Sequence, residues 1–168
     1  MKRTYRTGKL NDLEKLKHLA IGSWSQFKND LTPKNWDELF NILSNDNTYL
    51  DLIHNSESIL CETEKGDVIG MAFLVLSGNP TDIYDEKWSY IRFVTVDPKF
   101  GGIGIGRKLT EKCIDLAKKN NEQTVALHTS IIMEKARHIY ESLGFEILRE
   151  LEPRLGVKYW LYLLNLNK

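Results

Sequence analysis

Apolar positions recur at two periods along this chain, and the places where one period gives way to the other mark its elements. A short strand near Lys2–Arg6 is followed by Leu13, Leu16, Leu19 and Ala20 at helical spacing, with Asn11 ahead of them as a side chain able to cap free amides. Thr32-Pro33 reads as an N-cap followed by proline at the first helical position, and Trp36, Leu39, Phe40 and Leu43 follow at the spacing of one helix face. Ser58–Glu64 and Val68–Ser77 are apolar runs divided by Lys65-Gly66-Asp67, which reads as a hairpin with glycine in its turn. A third strand, roughly Trp88–Val96, comes after the loop that holds Pro80.

Beyond Val96 the pattern predicts a helix over Gly104–Asn120, a strand over Thr124–His128, a helix over about Met133–Leu143 and two strands near Phe145–Glu152 and Lys158–Leu164. The later half is therefore β-α-β-α-β-β. Antiparallel strands leading into a βαβ unit predict a mixed sheet with helices packed on it, because only the crossover forces parallel pairing. That is an α/β, or α+β, fold. No repeat, low-complexity tract or Pro/Gly/Ser-rich linker divides residues 1–168, which read as one domain.

Composition narrows the function classes. Hydrophobic and charged contents of 42% and 27% are those of an ordinary globular domain. Lys plus Arg and Asp plus Glu are equal at 23 each, so no global field draws the chain to nucleic acid or to an anionic membrane. The longest apolar run, Ile69 to Leu76, is too short to span a bilayer, and a cytoplasmic location is expected. Cys61 and Cys113 read as buried free thiols, and with His18, His54, His128 and His138 they offer no pair at metal-ligand spacing, so no structural zinc is expected.

The densest chemical signal lies at Gly101, Gly102, Gly104 and Gly106, four of the eleven glycines, between the strand ending Val96-Asp97-Pro98 and the helix of Leu109, Cys113 and Leu116. Glycines let a backbone turn with its amides facing one point, and a helix start adds unpaired N–H groups and positive dipole; together they cradle phosphate. A Walker loop would need Lys and then Ser or Thr after the last glycine, whereas Arg107-Lys108-Leu109 follows. A dinucleotide fingerprint would need G-x-G-x-x-G and an acid ending the next strand, whereas the spacing is G-x-G-x-G and that strand ends Leu127-His128-Thr129.

The segment Val94-Thr95-Val96-Asp97-Pro98-Lys99-Phe100-Gly101-Gly102-Ile103-Gly104-Ile105-Gly106 resembles the cofactor motif of the GNAT acetyltransferase superfamily, written Q/R-x-x-G-x-G/A. Gly104 and Gly106 match its later positions, while Gly101 stands where the family has Arg or Gln. Met133-Glu134-Lys135-Ala136-Arg137-His138-Ile139-Tyr140-Glu141-Ser142-Leu143-Gly144-Phe145 is similar to the second motif, N-x-x-A-x-x-L-Y-x-x-x-G-F, through Ala136, Tyr140, Gly144 and Phe145. Met133 replaces the Asn that contacts pantetheine in the family. The resemblance covers about Ser89 to Phe145.

The resemblance implies a GNAT-like mixed, mostly antiparallel central sheet with helices on both faces, and acetyl-CoA as cofactor with CoA as product. It places the pyrophosphate on Gly101, Gly102, Ile103, Gly104, Ile105 and Gly106, with Arg107 and Lys108 as added charge, and the pantetheine as an added strand along Val94, Thr95 and Val96 and beside Met133 and Ala136. A neutral amine would attack the thioester directly, a backbone N–H of this strand would stabilise the oxyanion, and Tyr140 would protonate the leaving thiolate. With thiol and tyrosine pKa values of about 8.5 and 10, that transfer needs no large tuning.

Arg92 occupies the position where many relatives carry a carboxylate base, and no acid lies between Tyr90 and Val96. His128 could relay a proton, or serve as a polar packing residue; Glu62, Glu64, Asp85 and Glu86 are other acids that could act through water. Trp24, Phe27, Trp36, Trp88, Tyr159 and Trp160 could wall an amine pocket or simply fill the core. The acceptor class is a small-molecule or peptide amine, with hydroxyl acceptors and longer acyl groups as variants and a catalytically silent CoA-binding sensor or protein-interaction module as the rival. Similar proteins lead one to expect a homodimer through Lys158–Leu164.

Overall fold

A computed structural model describes residues 1–168. In chain order the elements are β1 (Arg3–Arg6), α1 (Leu13–Trp24), α2 (Pro33–Ser44), α3 (Asp46–Asn55), β2 (Glu57–Thr63), β3 (Val68–Val75), β4 (Ser89–Val96), α4 (Ile105–Lys119), β5 (Thr124–Ser130), α5 (Glu134–Ser142), β6 (Glu146–Arg154) and β7 (Val157–Asn165). All seven strands join one sheet in the order β1-β2-β3-β4-β5-β7-β6, with β4 and β5 its one parallel pair. This is the mixed, mostly antiparallel α/β fold with helices on both faces that the sequence predicts. No helix is long and apolar enough to cross a membrane.

Alternation along the strands builds two layers of core. Ala72, Leu74, Ile91, Val125 and Leu127 point to the face covered by α4 and α5, where they meet Ile105, Leu109, Cys113 and Phe145. Leu60, Met71 and Phe73 point to the opposite face and meet Leu16 and Leu19 of α1, Trp36 and Leu43 of α2, and Tyr49 and Leu52 of α3. Burial on both faces explains why β3 is an unbroken apolar run. Gly70 of β3 sits under the start of α4: a Cβ there would lie 2.9 Å from Ile105 and 3.1 Å from Leu109. A bare backbone at this point lets the N-terminus of α4 settle against the sheet.

Several local expectations are corrected. The first helix begins at Leu13 after a 3₁₀ turn over Leu10–Asp12, and Asn11 caps nothing. Asp12 accepts instead, from the Lys9 amide at 2.8 Å and from both arms of the Arg6 guanidinium, which also reaches Glu62 at 2.8 Å. That knot ties β1, β2 and the start of α1, and the Arg6 hydrogen bond holds the Asp12 carboxyl below its ordinary range. Phe40 falls one position outside the buried stripe of Trp36, Leu39 and Leu43 and is 41% exposed. Helix α3 is an element that periodicity does not show. Cys61 and Cys113 are both buried free thiols.

Candidate active site

Strands β4 and β5 pair only at Ser89 with Val125 and Tyr90 with Ala126, and then part. Strand β5 keeps its full ladder with β7, from Thr124 to Ser130, so it is β4 that leaves. Its departure begins at a bulge. Arg92 faces Phe73 and Thr95 faces Met71 on β3, so Phe93 and Val94 together oppose Ala72. A bulge bends and twists the strand that carries it. Phe93 adopts φ +55, an unusual conformation for an aromatic residue, and two contacts hold it there: the Thr95 hydroxyl donates to the Phe93 carbonyl at 3.1 Å, and Tyr49 meets its ring edge-on at 6.4 Å. The result is a slot between β4 and β5 with the Val94–Thr95–Val96 backbone along one wall. At its far end the Val96 carbonyl already accepts from Ser23 of α1.

Past Val96 the chain makes the glycine-rich turn. Gly102 (φ +77) and Gly104 (φ +87) take left-handed conformations, and Gly104 is the N-cap of α4. The backbone amides of Gly102, Ile103, Gly104, Ile105, Gly106 and Arg107 donate to no backbone carbonyl, whereas that of Gly101 is taken by Pro98 at 3.2 Å and that of Lys108 by Gly104 at 3.0 Å. Such a run of donors without backbone acceptors at a helix start suits an anion. The Arg107 side chain turns away from it, donating to Glu111 at 3.0 Å and to Ser142 of α5 at 2.8 Å, so its charge ties α4 to α5. Gly106 faces the slot: a Cβ built there would lie 3.5 Å from Ile139 and 3.6 Å from Val96.

Helix α5 lines the same face. Met133 is its N-cap residue, its sulfur accepting from the Thr129 hydroxyl at 3.4 Å; Ala136 and Ile139 pack partly buried against the core, and Tyr140 is 7% exposed with its ring edge-on to Phe145. Burial first, and then the nearby Cys113 thiol, raise the Tyr140 phenol above its ordinary range. Tyr140 is therefore a weaker acid than a free tyrosine, one that stays protonated and gives up its proton less readily than ordinary values imply.

His128 lies on the opposite face of β5, among Tyr84, Tyr90 and Tyr159. The Tyr84 hydroxyl meets its Nδ1 at 2.5 Å, and Tyr84 stacks on Tyr90 at 4.0 Å. Burial, followed by the charges of Arg154 and Arg92, lowers the His128 pKa to about 4. The unfolded chain thus binds this proton more tightly than the folded one, so stability present above about pH 6.5 is lost as pH falls toward 4, by about 3 kcal/mol at most. Urea unfolding at pH 7 and pH 4 checks this: His128→Asn should lose less stability over the interval than wild type.

The other acids lie elsewhere. Glu62 is held by Arg6 on β2, Glu64 is exposed in the β2–β3 turn, and Asp85 and Glu86 are exposed in the β3–β4 loop, Asp85 accepting from the Lys87 amide at 2.8 Å. Of the aromatic residues, Trp36 and Tyr159 are core, while Trp24 and Phe27 stack edge-on at the end of α1. Trp160 lies under Arg137 and Lys158, and Trp88 packs at the start of β4. Two features of the site escape sequence reasoning. Tyr84 belongs to a loop without periodicity, and the bulge at Phe93 carries no glycine to mark it.

The family model of the acetyltransferase (GNAT) family matches residues 15–145, and the chain belongs to that family. It is similar to N-acetylaspartate synthetase of Danio rerio, with 37% identity over 68 residues, 40% of this chain and 24% of that protein. It is also similar to N-alpha-acetyltransferase 30 of Schizosaccharomyces pombe, with 36% identity over 56 residues, 33% of this chain and 37% of that protein. The matched segments thus span about a quarter to just over a third of those relatives. The fold is shared with the PaiA N-acetyltransferase of Thermoplasma acidophilum solved in complex with coenzyme A. There the TM-score is 0.79 at 15% identity, over 98% of this chain and 99% of that one.

Proposed function

We propose that this chain transfers an acetyl group from acetyl-CoA to an amine by direct attack of the amine on the thioester. The observation that carries the reading is the run of acceptor-less amides from Gly102 to Arg107, set where Gly106 meets Val96 on the open edge of β4. Unpaired donors at a helix start suit a pyrophosphate, and an open strand edge suits an amide-bearing arm. When bound, acetyl-CoA supplies an acyl group already activated as a thioester.

The chain's own residues divide the remaining work between the two faces of the sheet. Tyr140, on the α4 and α5 face, holds a proton for the departing thiolate. Backbone amides near the Phe93 bulge stabilise negative charge on the carbonyl oxygen, and the kink fixes their direction before the reaction. Tyr90, Arg92 and His128 line the face from which the amine arrives. With a pKa of about 4, His128 is too weak a base to deprotonate an ammonium ion efficiently, so the amine enters neutral or gives its proton to water. The names of the two relatives speak of an N-acetylated amino acid and of N-alpha acetylation, in keeping with an amine acceptor.

Calorimetric titration with acetyl-CoA and CoA, followed by thiol release against a panel of amines, tests the proposal. Binding followed by amine-dependent thiol release is the expected result. Absence of CoA binding would overturn it, and binding without turnover on any amine would favour a CoA-sensing module.

A further inference from the structure

The arginines near β4 differ in how they are satisfied. Arg6 is held by Asp12 and Glu62, Arg107 by Glu111 and Ser142, and Arg154 by Asp82. Arg92 is partly buried, yet it forms neither an ion pair nor a side-chain hydrogen bond; its guanidinium only rests 5.7 Å from the centre of the Phe93 ring. A guanidinium carries five N–H donors in a planar fork shaped for a carboxylate. Here the whole fork is left for solvent or a ligand.

Its surroundings make a site of that fork. Arg92 and Tyr90 line a cavity of about 490 Å³ between α3 and the β3–β4 loop, with Asp51, Asn55 and Asn79 on its other walls. The cavity adjoins the last β4–β5 pair, Tyr90 with Ala126, where the slot opens. Its volume lies in the range of small-molecule pockets. The lining thus presents one cation, Arg92, beside the slot and one carboxylate, Asp51, across the cavity on α3, where Asn55 donates to it at 2.6 Å. A polyamine would bring like charge against Arg92.

We propose that this cavity is the acceptor pocket and that Arg92 binds a carboxylate of the acceptor, making the acceptor class small amino-carboxylates such as free amino acids. The assignment rests on the acetyl-transfer reading above and gives it a substrate class. It also accounts for a cation on β4 at a position that provides no base.

The test compares α-amino acids with their α-carboxamides and with a polyamine as acceptors for wild type, Arg92→Met and Arg92→Lys, by thiol release at saturating acetyl-CoA. Wild type should favour the carboxylate over the matched amide by about 10- to 100-fold in kcat/KM, the scale set by a charge-assisted bidentate contact. Arg92→Met should bring that ratio close to one, mainly through KM, and Arg92→Lys should fall between. Equal use of acid and amide by wild type, preference for the polyamine, or an unchanged ratio in Arg92→Met would overturn the assignment while leaving acetyl transfer intact. Failure of wild type to bind CoA would sink both.

Discussion

Gly106→Val is expected to raise the dissociation constant for CoA by about 100-fold or more, while moving the melting temperature by no more than about 3 °C. The two readouts separate because nothing in the folded chain demands glycine at this position. Gly106 lies within the first turn of α4, its φ is not left-handed, and an added Cβ would make ordinary contacts with Ile139 and Val96. On helix propensity alone glycine is a poor choice, costing about 0.5–1 kcal/mol relative to alanine. The proposed function accounts for it: branched methyl groups on this turn, next to Val96 of β4, would crowd the slot through which an acyl-bearing arm is proposed to pass. Gly106→Ala serves as the control, since the family motif admits alanine at this place, and it should melt slightly higher with a smaller change in affinity. Calorimetry and differential scanning on the same samples check both. A Val variant that binds CoA as wild type does would remove the cradle from the site.

Tyr140→Phe is expected to lower kcat by about 100-fold or more, with CoA affinity within about threefold of wild type. The hydroxyl forms no hydrogen bond with any protein group, so the fold loses nothing when it is removed, and phenylalanine keeps the edge-on contact with Phe145. Melting temperature should hold or rise. Because burial raises the phenol, Tyr140 stays protonated to beyond pH 10, and wild-type kcat should show no alkaline fall below that pH. A fall in kcat near pH 8 that disappears in the variant would contradict the role. Similar kcat in variant and wild type would assign the proton to water.

Much of this arrangement was legible in the sequence where local chemistry and burial agree. Thr32 accepts from the Asn35 amide and Pro33 opens α2 as their order implies, and Gly66, at φ +84, turns the β2–β3 hairpin. The glycine run is legible for the same reason, Gly102 and Gly104 taking left-handed conformations, whereas Tyr140 stands out only through the resemblance to the second family motif. Helix α3 was hidden because only Tyr49 and Leu52 of its ten residues are buried, too few for a periodic signal, and its remaining residues are mainly polar. Asn11 misled because it lies inside the 3₁₀ turn over Leu10–Asp12, one residue before the junction at which α1 begins. The Phe93 bulge is accompanied by a ring contact with Tyr49, distant in sequence, and by a local hydrogen bond from Thr95 whose residue type does not by itself signal a bulge. Arg92 could be placed on its strand but not read as unpaired, since the absence of a counter-ion is a property of the assembled fold.

The parting of β4 from β5 also has a thermodynamic side. A sheet interrupted near its middle forgoes part of its own cohesion, and whatever ligand fills the gap returns it. Ligand binding restricted to the native form adds RT ln(1 + [L]/Kd), about 2.7 kcal/mol when free ligand stands at a hundred times its dissociation constant. On the acetyl-transfer reading proposed above, resistance to local opening and proteolysis would then rise with the total concentration of CoA and its thioesters, since either can fill the gap.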